Sequence, residues 1–133
     1  MIGHKFTILF VDDDNETREY FREAFEQDFE VLTAANAEEA WHIITSIPNI
    51  GVVISDQRLP GQQGIELLIR TRRFYPGVLR ILTAAYADMG MLTDAINNAA
   101  IYRYVVKPWD LQELRVILTQ ALESILSRNA PDV

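Results

Sequence analysis

The chain has 133 residues, no cysteine, and 12 basic against 19 acidic side chains, a net charge of −7. Hydrophobic residues make up 49% and charged residues 23%, which fits one globular domain with a real core and excludes an intrinsically disordered chain. The missing cysteine excludes disulfides, thiolate metal sites and cysteine nucleophiles, and the acidic balance argues against nucleic-acid binding by this domain.

No apolar run approaches the ~18 residues of a membrane span. Met1 to Phe6 lacks the apolar stretch of a secretory signal, which predicts a cytoplasmic protein.

Phe6 to Val11 is a near-continuous apolar run and reads as a strand buried on both faces. It ends abruptly in Asp12, Asp13 and Asp14. Asn15 to Phe25 has helical periodicity, with Thr17, Tyr20, Phe21, Ala24 and Phe25 on one face. Phe29 to Ala34 reads as the second strand. Asn36 then reads as an N-cap with Glu39 as its capping-box partner. The helix it opens carries Ala40, Ile43, Ile44 and Ile47 as its stripe, and Pro48 lies past its end.

Val52 to Asp56 reads as a third buried strand, and Gln57 to Gln63 as a loop turning at Pro60-Gly61. Gly64 to Phe74 is predicted helical and is stopped by Tyr75-Pro-Gly77. Val78 to Thr83 is predicted as a fourth strand, Met89 to Asn98 as a fourth helix, and Tyr104 to Val106 as a short fifth strand. Asp110 caps a last helix whose stripe is Leu114, Ile117, Leu118, Ala121, Leu122 and Ile125. Arg128 to Val133 reads as a polar tail. Five such βα units imply an α/β fold, a five-stranded parallel sheet with helices on both faces and right-handed crossovers.

In such a fold the chemistry lies at the carboxyl ends of the strands. Those ends carry Asp12, Asp13 and Asp14, then Asp56, Thr83 and Lys107. Clustered carboxylates repel one another, and a divalent cation relieves this. Mg2+ prefers oxygen ligands and is commonly shared between carboxylates and a phosphate. A nearby lysine supplies a point charge for a phosphoryl oxygen, and a threonine hydroxyl can donate to another. An aspartate can itself be the nucleophile in phosphoryl transfer.

Each of these residues alone has an ordinary reading. Acids favour helix starts, strand-end Asp and Thr favour turns, and a lone lysine is usually a surface residue. His4 and His42 have no partner motif. Trp41 and Trp109 read as packing residues at helix starts, with Trp109, next to Pro108, a candidate reporter of switching. Arg70, Arg72 and Arg73 read as a solvated helix face. It is the set, in order and each after a predicted strand, that carries weight.

The set Asp12-Asp13, Asp56, Thr83 and Lys107-Pro108 resembles the receiver domain of bacterial two-component response regulators, over about Thr7 to Ser127. Asp56-Gln-Arg-Leu-Pro-Gly61 and Tyr102-Arg-Tyr-Val-Val-Lys-Pro-Trp109 are similar to receiver segments too, including those of hydrogenase-type transcriptional regulators of the nitrogen-regulator class and some attached to cyclic-nucleotide phosphodiesterases. The resemblance implies a flavodoxin-like, doubly wound (βα)5 fold. It also implies that Asp56 is the phosphoacceptor and that Asp13 binds Mg2+ directly. Asp12 would bind it mainly through water, and the backbone carbonyl of Arg58 would complete the protein's contacts.

Lys107 would pair with Asp56 before phosphorylation and with the phosphoryl group after it. A cis Lys107–Pro108 bond would aim the lysine into the site. Thr83 would move to the phosphoryl group and Tyr104 would turn inward behind it. Arg58 and Ala85, each two residues past a site residue, would set phosphoryl lifetime. Ala100 stands where the family often has glycine, which would stiffen the turn before the fifth strand. Asp14 extends the acidic pair and reads as a cap of the first helix.

The first expectation is therefore a phosphorylation switch. A histidine kinase donates the phosphoryl group, the domain catalyses its own modification and its loss, and the surface of the fourth helix, fifth strand and fifth helix changes. That surface would serve an effector domain in cis, an effector protein or a homodimer, with control of transcription as the expected output. Ser127-Arg-Asn-Ala-Pro131 reads as the start of a linker, so the single domain is expected to be the receiver of a longer regulator. Two other readings compete. Val11-Asp-Asp-Asp-Asn-Glu-Thr17 resembles the motif of haloacid-dehalogenase-type phosphatases, with Asp12 as nucleophile and Asp14 as acid, although a cap domain and a later acidic pair are lacking. The other is a phosphate-independent binding module, which the presence of both acceptor and lysine argues against.

Overall fold

A computed structural model describes residues 6–128. Strands β1 (Thr7–Val11), β2 (Glu30–Ala34), β3 (Ile50–Asp56), β4 (Leu79–Ala85) and β5 (Arg103–Lys107) form one sheet in the order β2-β1-β3-β4-β5. Every neighbouring pair is parallel. This is the doubly wound, flavodoxin-like order, with its switch point between β1 and β3. The N-terminal residues 1–5, including His4, and the tail 129–133 lie outside the described residues.

The helices are α1 (Asn15–Phe25), α2 (Ala37–Ser46), α3 (Gly64–Phe74), α4 (Tyr86–Met89), α5 (Thr93–Asn98) and α6 (Leu111–Arg128). Two cores follow from strand alternation. Ile8, Phe10, Val52, Ile54, Ile81 and Val105 point to one face and pack under α1 and α6. Leu9, Val11, Val53 and Leu82 point to the other and pack under α2, α3 and Leu92 and Ala99 of the α5 region. Strands β1 and β3 are buried along their whole length, as the apolar runs predict for a sheet covered on both faces.

The caps form as the sequence suggests. Asp14 accepts from the Thr17 amide at 3.0 Å and the Thr17 hydroxyl at 2.5 Å. Asn36 accepts from the Glu39 amide at 2.8 Å, and Asp110 accepts from the Gln112 and Glu113 amides. The last helix continues to Arg128, so the tail begins one residue later than the composition suggests.

The fourth helix differs most from expectation. The predicted Met89–Asn98 segment is instead α4, a 3-10 turn at Gly90–Leu92, and α5. The glycine weakens a continuous helix there by about 1 kcal/mol, and α5 buries none of its residues fully, so packing does not restore it. Strands β3, β4 and β5 each extend one or two residues beyond their predicted cores, because ladder pairing continues past the apolar run.

The turn from α5 to β5 is held by a buried arginine. Arg80 is 7% exposed and has no carboxylate partner among the described residues. Its guanidinium donates to the carbonyls of Ala99 (2.9 Å), Val78 (2.7 Å), Pro76 and Ala100 (both 3.3 Å). Ala100 itself sits at φ +49°, a left-handed conformation that glycine adopts more easily. Arg80→Met is expected to strand the Val78 and Ala99 carbonyls and lower unfolding free energy by about 2 kcal/mol. Urea denaturation measures it, and an unchanged midpoint would show that water replaces the guanidinium.

Candidate functional site

Alternation along the strands decides which side chains meet. Asp12, Asp56, Thr83 and Lys107 each lie an even number of residues beyond a strand residue of the α1/α6 face: Phe10, Ile54, Ile81 and Val105. All four therefore emerge on that side at the carboxyl edge. Asp56 and Thr83 are direct cross-strand partners in the β3–β4 ladder.

At this edge, carboxylate oxygens of Asp12, Asp13 and Asp56 lie within 4.8 Å of one another. Asp12 is buried, at 1% exposure, and accepts from the Asp14 amide at 2.9 Å. Asp13 is exposed. The Lys107 ammonium stands between the acids, 2.9 Å from Asp12 Oδ2 and 3.4 Å from Asp56 Oδ2. Its closer partner is thus Asp12 and not the expected Asp56. Asp12 is the more deeply buried anion, and the ammonium has donors enough to face both. The Lys107–Pro108 bond is cis.

The donor set fits a Mg2+ ion. All three groups are hard oxygen ligands of the kind Mg2+ prefers, gathered within 4.8 Å of one another. Three further carboxylates or carbonyls are not needed, because Mg2+ retains water.

Burial pushes the Asp56 carboxyl above its ordinary value, the charge of Asp12 adds to this, and Lys107 opposes it. For Lys107, burial alone would push the ammonium down. The hydrogen bond to Asp12 and the charges of Asp56 and Asp12 outweigh it, so the net direction is up. The raised Asp56 value means that the folded state binds this proton more tightly than the unfolded chain. That contribution to stability is complete below the unfolded carboxyl value and is lost as pH rises through the folded one. Asp56→Asn, which carries no charge to desolvate, should therefore be more stable than the parent at neutral pH. The difference should shrink as pH falls through the carboxylate range, read as urea midpoints against pH; a variant less stable at neutral pH would contradict it.

The remaining predicted site residues are placed as follows. Thr83 is fully buried, and its Oγ1 accepts from Trp109 Nε1 at 2.8 Å. Tyr104 points outward and is 55% exposed. Ala85 is exposed at the start of α4. The Arg58 side chain makes a two-pronged pair with Asp88 of α4, at 2.9 and 3.0 Å, and remains close enough to feel the charge of Asp56. That hydrogen bond lowers the Asp88 carboxyl and raises Arg58. Asp14 is occupied by its cap, which also lowers it below the ordinary value.

Three participants escape a reading of the sequence. Asp88 has no motif around it. For the Trp109–Thr83 bond, the sole signal is the position of Trp109 next to the Lys-Pro pair. Gly64 opens α3 directly against the Asp56 carbonyl: a Cβ built there would lie 2.1 Å from that oxygen. A glycine in the run after the Gln57–Gln63 loop is the visible signal for it.

The sequence profile described as "Response regulator receiver domain" matches residues 8–119. The chain belongs to the response-regulator receiver family. Among relatives, this receiver is 35% identical over 124 residues to the hydrogenase transcriptional regulatory protein HoxA of Cupriavidus necator, covering 93% of this chain and 26% of that protein. It is 30% identical to the sporulation initiation phosphotransferase F of Bacillus subtilis, covering 81% of this chain and 86% of that one. The signal receiver domain of an HD domain-containing protein from Pseudomonas fluorescens Pf-5 superposes with a TM-score of 0.86 at 35% identity, covering 92% of this chain and 98% of that one. The receiver spans about a quarter of the length of HoxA. Among the described residues, no helix is long and apolar enough to cross a membrane.

Proposed function

We propose that this receiver is a phosphorylation switch whose acceptor is Asp56. The observation that carries the reading is the convergence of three carboxylates within 4.8 Å of one another, two of them paired with the Lys107 ammonium, at the carboxyl edge of β1, β3 and β5. Asp12, Asp13, Asp56 and the Arg58 carbonyl would hold Mg2+, which when bound supplies positive charge for the oxygens of the transferring phosphoryl group.

A carboxylate oxygen of Asp56 attacks phosphorus. The bond from phosphorus to the kinase histidine nitrogen breaks, and the electron pair leaves with the imidazole. Lys107 faces the oxygens that gain charge, and Thr83, cross-strand neighbour of Asp56, donates its hydroxyl to one of them. Tyr104 then turns inward, and the surface of α4, α5, β5 and α6 changes. Arg58 and Ala85 flank the approach of hydrolytic water and set the lifetime.

The likeness to HoxA supports a transcriptional regulator in which this domain, about 7–127, controls an effector in cis, and we read it as cytoplasmic. A separate effector or a second copy on the same surface is the remaining use of that face. The phosphatase reading finds less support. Asp12, its nucleophile, is buried and paired, and Asp14, its acid, caps α1.

The test is intact mass after incubation with acetyl phosphate, with and without Mg2+. One hydroxylamine-labile phosphoryl group is expected, only with Mg2+. A folded protein that takes no label with Mg2+ present would overturn the reading.

A further inference from the structure

The hydroxyl proposed to meet the phosphoryl group is already engaged. Thr83 Oγ1 accepts the indole N–H of Trp109 at 2.8 Å, and among the described residues it is the acceptor the structure gives that N–H. An indole N–H can only donate. The ring is held on its other sides. Phe10 packs against it edge-on at 5.4 Å, Phe21 at 6.0 Å, and Tyr20 stacks at 6.5 Å. The Lys107 ammonium lies 5.7 Å from its centroid. A side chain so packed does not follow a neighbour without repacking. When Thr83 turns toward a phosphoryl group on Asp56, its oxygen moves away from Nε1, and the N–H is left unpaired in a half-buried position.

We propose that Trp109 is the positioning residue for Thr83: its indole N–H holds the hydroxyl in the resting orientation, so the switch must break that bond. The proposal rests on the reading of Asp56 as acceptor. It makes Trp109 a determinant of how readily the resting receiver switches, separate from the groups that touch the phosphoryl oxygens. It also ties the state of Thr83 to Tyr20, which is 52% exposed on α1, and so to a second surface besides that of β5.

The test uses Trp41→Phe as parent, so that Trp109 is the one indole. Without any ligand, Thr83→Val should shift the Trp109 indole N–H resonance upfield by NMR and speed its exchange with water. An unmoved resonance would overturn the proposal. With Mg2+ and the phosphoryl analogue beryllofluoride, Trp109→Phe, which keeps a ring and loses the donor, should bind the analogue about fivefold more tightly. That is the factor one hydrogen bond of ordinary net strength represents. The gain should vanish in the Thr83→Val background, a coupling that lost packing alone would not produce. Unchanged or weaker binding by Trp109→Phe, with tight binding by the parent, would overturn the restraint alone. Failure of the folded parent to bind the analogue would overturn the acceptor reading, whereas the ligand-free indole resonance tests the Trp109–Thr83 bond independently of it.

Discussion

Lys107→Met is expected to slow Mg2+-dependent labelling by acetyl phosphate about 10²–10³-fold, the cost of removing one preorganised charge-stabilising donor from a transition state. The methionine keeps a stem of similar length in the half-buried channel, so the loss reads on charge and not on volume. Lys107 is suited to this role because its environment favours the ammonium on balance. Asp12 and Asp56 outweigh the burial that would otherwise push it toward neutrality. Removing it leaves Asp12 buried with the Asp14 amide as its remaining donor. Labelling rates at fixed Mg2+, with folding checked by circular dichroism, measure the effect. A variant that labels within a few-fold of the parent would show that the metal alone stabilises the transferring group.

Gly64→Ala is expected to cost roughly 3 kcal/mol or more of stability, at or beyond the usual upper end for overpacking. The added Cβ would lie 2.1 Å from the Asp56 carbonyl oxygen and 2.9 Å from both the carbonyl carbon and the Ser55 hydroxyl. Two of the three obstacles are backbone, so a rotamer change cannot relieve them. The Gly64 amide also donates to the Gln57 carbonyl at 3.0 Å, which closes the loop after Asp56 onto α3. A shift of α3 large enough to admit the methyl group would carry Asp56 with it. The variant should therefore lose labelling as well as stability, even at temperatures where it remains folded. Urea unfolding and labelling of the folded fraction check the two parts separately, and a loss under about 1 kcal/mol would show that the helix start adjusts freely.

How legible each feature is in the amino-acid sequence follows from its physical origin. The strands are legible because a sheet covered on both faces demands nearly unbroken apolar runs, such as Thr7–Val11 and Val52–Ile54. The acidic cluster is legible because polar residues at the end of such runs must lie at one sheet edge. The α4–α5 region is not. Its pattern is weakly amphipathic, and Gly90 divides it, so the outcome depends on contacts such as Arg58–Asp88 that join residues 30 apart. The closer partner of Lys107 is likewise hidden, because Asp12 and Asp56 compete for it and relative burial decides. The Trp109–Thr83 bond depends on ring orientation within the Phe10–Phe21 cluster, which no spacing encodes.

The central claim is that the acceptor is Asp56 and not one of the two neighbouring acids that follow β1. Borohydride reduction tests it most directly, because it converts an aspartyl phosphate to homoserine and leaves free carboxylates unchanged. The protein would be labelled with acetyl phosphate and Mg2+, reduced, digested and sequenced by mass spectrometry. Homoserine at position 56 alone is the predicted result. Homoserine at position 12 or 13, or none in a protein that is folded and supplied with Mg2+, would contradict the account.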